Sequence, residues 1–325
     1  MTFTARIAAQ QGKARERRMA RRRGLDRLWG GISFALTLLP LALLVGIAAG
    51  LVVRTWPILA TVSPLDLITG RVWQPLKGAF GFYPFIMGTA WVTVLAMLLA
   101  VPPSLLVAIY LSVYARPLLK NLMKPVLDVL AGIPSVVYGV WGLIAIVPFV
   151  QNVAAPVLRA VFPGIPLFNS QNPTGFSILA GSLVLSVMVA PVMIAVSYEV
   201  LQTAPQGLRE ATLAMGATRW QMVKHVVLRR CAPGIAAAVV LGFSRAFGET
   251  MAVLMVVGNV PKAPASILDP AYPLPALIAN NYGEMMSIPM YDAALMGAAL
   301  VLLVVVLLFN IVSTAILRRV SGRTV

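Results

Sequence analysis

The sequence predicts an all-α integral membrane protein with six membrane-spanning helices, and three observations carry that prediction. Apolar residues make up 59% of the 325-residue chain, charged residues only 11%, and the mean hydropathy is +0.88. A water-soluble domain of this length needs more polar surface to cover itself. The apolar residues also come in long unbroken runs of about 20, which a hydrocarbon core roughly 30 Å thick demands of a helix. A closed transmembrane barrel would show short alternating segments instead. Finally, the basic residues cluster between the runs rather than spreading through them.

The first span is expected over about 30–53. It follows Arg6, Lys13, Arg15, Arg17, Arg18, Arg21, Arg22, Arg23 and Arg27. A basic stretch before an apolar run is also the shape of a secretory signal. The run from about Ile32 to Val53 is longer than a signal core, however, and further spans follow, so a retained helix is expected. The second and third spans, about 83–113 and 124–150, are the least regular. Pro102 and Pro103 interrupt the second, and Gly132, Pro134, Gly139 and Gly142 punctuate the third. Such residues are tolerated where neighbouring helices satisfy the freed backbone groups. A substrate path lined by discontinuous helices and ordinary packing kinks both fit the pattern. The remaining spans are expected at about 176–199, 232–257 and 291–317. Asp128 and Glu199 fall near span ends, where interfacial or interhelix contacts are expected.

An even number of spans puts both termini on one side. That side holds twenty of the 26 basic residues: the nine of the N-terminus, Arg116, Lys120, Lys124, Arg209, Arg219, Lys224, Arg229, Arg230, Arg318, Arg319 and Arg323. The opposite side holds Arg54, Arg71, Lys77, Arg159 and Lys262, and Arg245 lies inside a span. Positive charge marks the cytoplasmic side, so both termini are expected there. This asymmetry explains the net charge of +16 without a nucleic-acid partner. The expected organisation is a basic cytoplasmic segment, 1–29, followed by one transmembrane domain, 30–325. Residues 1–27 are expected to be flexible when nothing is bound. The segments 54–82, 151–175 and 258–290 are rich in proline and aromatic residues. They are long enough to offer an external partner a surface, though plain connectors also fit.

Several chemistries are excluded. Cys231 is the only cysteine and His225 the only histidine, so neither a disulfide nor a Cys/His metal site is expected. The methionines lie within apolar spans, as packing residues do. His225 sits in a cytoplasmic loop beside Lys224, which argues against Ser-His-Asp catalysis. No G-x-x-x-x-G-K-[ST] run is present, so the chain has no cradle for ATP. No enzyme activity and no bound cofactor are expected.

The cytoplasmic segment 201–231 carries the densest local signals. Thr203 and Gln206 have capping-box spacing, with Pro205 suited to a first helical turn. Leu208, Ala211, Thr212 and Met215 then define a short apolar face, and Gly216 is a natural left-handed stop. The signal repeats: Thr218 and Gln221 form a second capping-box pair, and Trp220, Val223 and Val227 mark another face. Helix, glycine break, helix is the expected order. A surface helix of this kind suits a groove on a partner protein, or a bed of lipid headgroups.

The fifth span contains Arg245 and Glu249, two charges that each cost about 2.5–3.5 kcal/mol at a helix centre. Four residues apart, they would share a helical face and could pair. One reading is a structural ion pair tying helices together. The other is that both line a water-filled path and meet an anion, Arg245 attracting it and Glu249 tempering the grip.

Three stretches bear on this choice. The run Glu210-Ala211-Thr212-Leu213-Ala214-Met215-Gly216 resembles the EAA signature of ABC-importer permeases. Glu210, Ala211 and Gly216 match that pattern, while Thr212 replaces its second alanine. Leu228-Arg229 also stands where the family commonly has Leu-Pro. Arg245-Ala246-Phe247-Gly248-Glu249-Thr250-Met251-Ala252-Val253 is similar to the phosphate-specific ABC permeases, in particular the C-type member of their two-permease pair. So is Leu130-Ala131-Gly132-Ile133-Pro134-Ser135-Val136-Val137-Tyr138-Gly139-Val140-Trp141-Gly142.

The resemblance implies the six-helix ABC importer permease fold in a bacterial inner membrane, importing phosphate by alternating access. It implies coupling to an ATPase through Glu210, Ala211 and Gly216, and a substrate pathway at Arg245 and Glu249. The implied partners are a second related permease, two cytoplasmic ATPase subunits holding ATP and magnesium, an external phosphate-binding protein and membrane lipid. A permease for sulfate or molybdate, a proton-coupled carrier with Glu249 as its proton site, and a non-transporting scaffold or sensor are the alternatives.

Overall fold

The computed structural model describes the backbone of residues 3–283, 288 and 290–321, and side chains between 28 and 315 within those ranges. The side chains of the basic N-terminal cluster, of Arg318 and of Arg319, and the whole of Arg323, lie outside the described residues; the backbone of residues 3–27, where flexibility was expected, is helical. Two compact units divide the chain, Met1–Val53 and Arg54–Val325.

Among the described residues, six helices are long and apolar enough to cross a membrane: Leu28–Leu59, Tyr83–Tyr114, Ser135–Val161, Ile178–Gln202, Arg219–Phe247 and Tyr291–Ala315. The first belongs to the long helix α1 (Phe3–Leu59). Within its apolar run the Thr37 hydroxyl donates back to the Ser33 carbonyl at 2.8 Å.

In the second unit, α2 (Pro64–Thr69) begins with Ser63 as its cap, its hydroxyl accepting from the Leu65 amide. A two-residue hairpin, β1 (Trp73–Gln74) and β2 (Ala79–Phe80), leads into α3 (Tyr83–Ile109). Helix α3 runs through Pro102 and Pro103 and ends in one wide turn, Tyr110–Tyr114. Then follow α4 (Pro117–Gly132), α5 (Ser135–Val161) and α6 (Ile178–Gln202). Beyond them lie α7 (Gln206–Ala214), α8 (Arg219–Phe247), α9 (Met251–Leu254), α10 (Leu274–Asn281) and α11 (Tyr291–Ser321).

The centre of the unit is α6 against α3, its most extensive helix contact. Two-thirds of the apolar window of α6 is buried within the chain (67%), so α6 is the core helix. Val92 and Met97 of α3 pack with Leu185, Met188 and Met193 of α6 and Val253 of α9. The buried Ser182 hydroxyl on α6 donates to the Val92 carbonyl at 3.1 Å, tying the two spans. A second cluster gathers Ile58, Phe80, Phe82, Phe85, Tyr272, Leu277, Tyr291 and Leu295. The Trp73 ring meets Phe85 edge-on at 5.0 Å between centroids. Beside this cluster Arg54 and Asp292 approach to 3.9 Å.

The segments expected as external connectors are organised. The Asp269 carboxylate accepts from the Ala265 and Ser266 amides at 3.0 and 2.9 Å and from the Ser170 hydroxyl. The Asn172 amide nitrogen donates to the Phe176 and Leu268 carbonyls at 2.6 and 3.1 Å. Residues 166–178 and 258–271 are thereby clasped together at the start of α6.

Three expectations need correction. The third span runs over Ser135–Val161, not 124–150. Residue 133 precedes a proline and is held extended (φ −63°, ψ 129°), so α4 must stop there and α5 must start afresh. The fifth span covers Arg219–Phe247, not 232–257: the helix begins among the basic residues of the loop and ends at Gly248, and Met251–Leu254 forms the separate helix α9. The first capping box does not form. Thr203 instead closes α6, its hydroxyl donating back to the Val200 carbonyl at 2.7 Å, and Pro205 precedes α7 rather than entering it.

Candidate functional site

Two helix breaks meet inside the second unit. The first lies at Ile133-Pro134, between α4 and α5; the second lies at Gly248-Glu249-Thr250, between α8 and α9. Gly139 is the point of contact. A Cβ there would come within 2.7 Å of the Met255 sulfur, 3.2 Å of the Ala252 Cα and 3.4 Å of the Met251 carbonyl oxygen. Only a residue without a side chain lets α5 and α9 lie this close. Gly142, one turn on, likewise faces Val184 and Val256.

The charged residues sit at these breaks. Arg245 occupies the last turn of α8, and its Nη2 donates to the Ala131 carbonyl at 3.4 Å. The Tyr138 hydroxyl of α5 donates to the neighbouring Leu130 carbonyl at 2.9 Å. Both acceptors lie in the last turn of α4, beyond the reach of regular helix bonds, and the Leu130 carbonyl also accepts from the Ile133 amide at 3.4 Å. A guanidinium there also meets the negative end of the helix dipole. At 3.4 Å the Arg245 contact is long, and the guanidinium keeps further donors for another acceptor. It is half-buried.

Glu249, also half-buried, lies beyond the end of α8. Its Oε1 accepts from the Ala252 amide at 3.1 Å, capping α9, and the Thr250 hydroxyl donates to the Gly248 carbonyl at 3.3 Å. The four-residue spacing had suggested one helical face and a direct pair. The structure brings both residues to the same break without joining them in an ion pair, because Gly248 ends the helix between them.

Span six supplies a contact that the sequence reading missed. The Ser244 hydroxyl donates to Asn310 Oδ1 at 3.0 Å, and Asn310 Nδ2 donates to the Val306 carbonyl at 2.9 Å. Phe309 lies 4.9 Å from Phe243 and 5.4 Å from Phe247, ring centre to ring centre. An asparagine inside an otherwise apolar run was the available signal.

The second candidate region is the loop 201–231. Helix α7 buries none of its residues, and Glu210 and Ala211 are exposed on it. Leu208, Leu213, Met215 and Trp220 present apolar side chains to the outside, Met215 at 88% exposure. Gly216 has φ +84° and ends the helix: its amide donates to the Leu213 carbonyl at 3.0 Å and the Ala217 amide to Thr212 at 3.3 Å. The second capping box is formed, with the Gln221 amide donating to the Thr218 hydroxyl at 3.2 Å and the Thr218 amide to the Gln221 side chain at 2.8 Å. Beneath the loop, Met222, Val223 and Val227 pack on Ala108, Ile109 and Leu201. Arg209 also donates to the Leu201 carbonyl. The exposed helix is therefore carried on a firm base.

Comparison with known proteins adds to this geometry. A family model described as "Binding-protein-dependent transport system inner membrane component" matches residues 104–325. A phosphate transport system permease protein PstC from Mesorhizobium japonicum is 32% identical over 302 residues, covering 92% of each chain. A probable ABC transporter permease protein YqgH from Bacillus subtilis is 39% identical over 76% of each chain. A probable phosphate transport system permease protein PstC from Methanocaldococcus jannaschii is 33% identical over 78% of this chain and 82% of its own. Among solved structures, an inward-facing form of the MetNI methionine ABC transporter aligns with a TM-score of 0.54 at 20% identity, over 77% of this chain and 99% of that one. That likeness shows the fold.

Proposed function

The chain belongs to the binding-protein-dependent transport system inner membrane components, and from that premise we propose that it is the C-type permease subunit of an ATP-driven phosphate importer. The observation that carries this reading is Arg245. It is a half-buried guanidinium at the convergence of two helix breaks, in a chain alike over nine-tenths of its length to a phosphate permease.

A charge inside the hydrocarbon region must face protein or water. The Ala131 carbonyl holds Arg245 by one long contact, which leaves the planar fork able to take an oxyanion bidentately. Glu249, fixed at the same break through the Ala252 amide, repels an anion. Attraction and repulsion together keep the site weak enough to release what it takes. Arg245 and Glu249 are therefore assigned to the substrate pathway.

The partners follow from the rest of the surface. Glu210, Ala211 and Gly216 belong to an exposed helix whose apolar side chains suit a groove on a cytoplasmic ATPase. Two such ATPases would bind ATP and magnesium and drive alternating access. A second, related permease would complete the path, and an external phosphate-binding protein would deliver the anion to the face formed by 151–175 and 258–290. Both termini, with the basic segment 1–29 ahead of the membrane domain, are assigned to the cytoplasmic side of the inner membrane.

Radiolabelled phosphate uptake in cells with and without this chain tests the reading, with excess unlabelled sulfate as a parallel challenge. The expected result is loss of high-affinity, sulfate-insensitive uptake on deletion. Unchanged uptake in a strain without another phosphate importer would overturn the substrate. Uptake that survives ATP depletion but collapses with the proton gradient would overturn the energy source.

A further inference from the structure

Ser244 and Asn310 have no part in the path so far, yet they form a hydrogen bond across spans five and six. We propose that this pair positions Arg245: it fixes the rotation of the last turn of α8 and so aims the guanidinium at the meeting point of the two breaks. The inference rests on the reading of Arg245 as the group that meets the anion.

The last turn of a helix is its least constrained part, because the backbone bonds that would fix it from beyond are missing. In α8 that turn carries Ser244, Arg245 and Phe247, and it stops at Gly248. Lateral contacts must therefore set its rotation. A serine in an apolar helix commonly turns its hydroxyl back to its own helix. Ser244 instead donates across to Asn310 Oδ1 at 3.0 Å. Asn310 is held for that role, since its Nδ2 donates to the Val306 carbonyl at 2.9 Å and leaves the oxygen turned towards α8. The Phe309 ring against Phe243 and Phe247 adds apolar contact on the same side.

Residue 245 is one step of about 100° around the helix from residue 244. With Ser244, Phe243 and Phe247 held on α11, Arg245 is directed to the other side, where it reaches Ala131. Loss of the Ser244–Asn310 bond frees the turn to rotate while the spans remain packed through their apolar surfaces. The two polar groups are suited to holding an angle. They contribute little to holding the helices together, since such bonds in membranes are individually modest.

The test uses the transporter assembled with its partner subunits in lipid vesicles, carrying Ser244→Ala, Asn310→Leu, both together, Ser244→Thr, or Arg245→Ala. Assembled complex, phosphate uptake per complex and ATP hydrolysed per phosphate moved are measured for each. Each single substitution should lower uptake per complex by about three- to tenfold while hydrolysis continues, the scale of one interhelical hydrogen bond. The double substitution should be no worse than either single one, and Ser244→Thr, which keeps the hydroxyl, should restore uptake. Uptake and hydrolysis falling together in proportion to lost complex would overturn the proposal, as would additive losses or a Ser244→Thr variant as impaired as Ser244→Ala. If Arg245→Ala abolishes uptake while Ser244→Ala and Asn310→Leu match the unsubstituted transporter, the positioning role alone fails. If Arg245→Ala leaves uptake intact, the anion-meeting reading fails and takes this one with it.

Discussion

The loop 201–231 and the intramembrane breaks are built on opposite plans. In the loop, the backbone is finished by neighbours in sequence: Gly216 turns the chain with φ +84°, and Thr218 and Gln221 cap the next helix between themselves. No residue of α7 is buried, and apolar groups are exposed along it. At the break between α4 and α5, residues from further off take part: Tyr138 of α5 and Arg245 of α8 serve the end of α4, and Gly139 admits α9, while Glu249 and Thr250 finish the second break locally. The contrast fits their surroundings. Water can satisfy any loop group that local capping leaves over, so the loop can spend its side chains on a partner. Lipid offers no hydrogen bonds, so a helix opened among the spans must find its partners in the protein or in a water-filled path.

The contrast can be broken most severely at Gly139. Gly139→Val would press a branched side chain into the α9 backbone, an overpacking that costs about 1–3 kcal/mol. Loss of uptake per complex on the order of tenfold or more is expected, with a lowered melting midpoint of the assembled transporter. Gly216→Val comes next. A Cβ there meets nothing within 4 Å, so only the left-handed backbone is strained, at about 1–2 kcal/mol. Its damage should be to coupling: ATP hydrolysis stimulated by loaded binding protein should fall several-fold while the membrane spans melt unchanged. The gentlest test is a matched pair. Tyr138→Phe and Thr218→Ala each remove one hydrogen bond to a helix end, worth about 1 kcal/mol. Tyr138→Phe should lower uptake a few-fold, because it loosens the carbonyl end that Arg245 contacts. Thr218→Ala should leave uptake nearly unchanged and show only in melting. Equal effects of the pair on uptake would erase the distinction between the two regions.

The same difference decides what the sequence discloses. Gly216 and the Thr218–Gln221 box are legible because both partners lie within three residues. The number of spans is legible because hydropathy is additive along the chain. The Thr203–Gln206 box failed because α6 extends to Gln202 and claims Thr203 for its own end. Pro134 announced the break after Ile133, but the apolar residues on both sides invited a span drawn through it. The Arg245–Ala131 contact joins residues 114 apart, and no spacing rule reaches that far. Arg245 and Glu249 were found by their charge; what each one touches, and that they do not pair, needed the fold. Asn310 was detectable by the same rule of charge and polarity in an apolar run, but its partner Ser244 was not.

The central claim is that Arg245 serves the anion rather than the packing. Its most direct test is Arg245→Ala in the assembled transporter, with the amount of complex and phosphate uptake per complex measured side by side. Removing a charge-assisted grip worth about 3 kcal/mol predicts loss of uptake on the order of a hundredfold with the complex intact. Loss of the complex itself, with normal uptake by whatever assembles, would contradict the account and make Arg245 a structural tie to the end of α4.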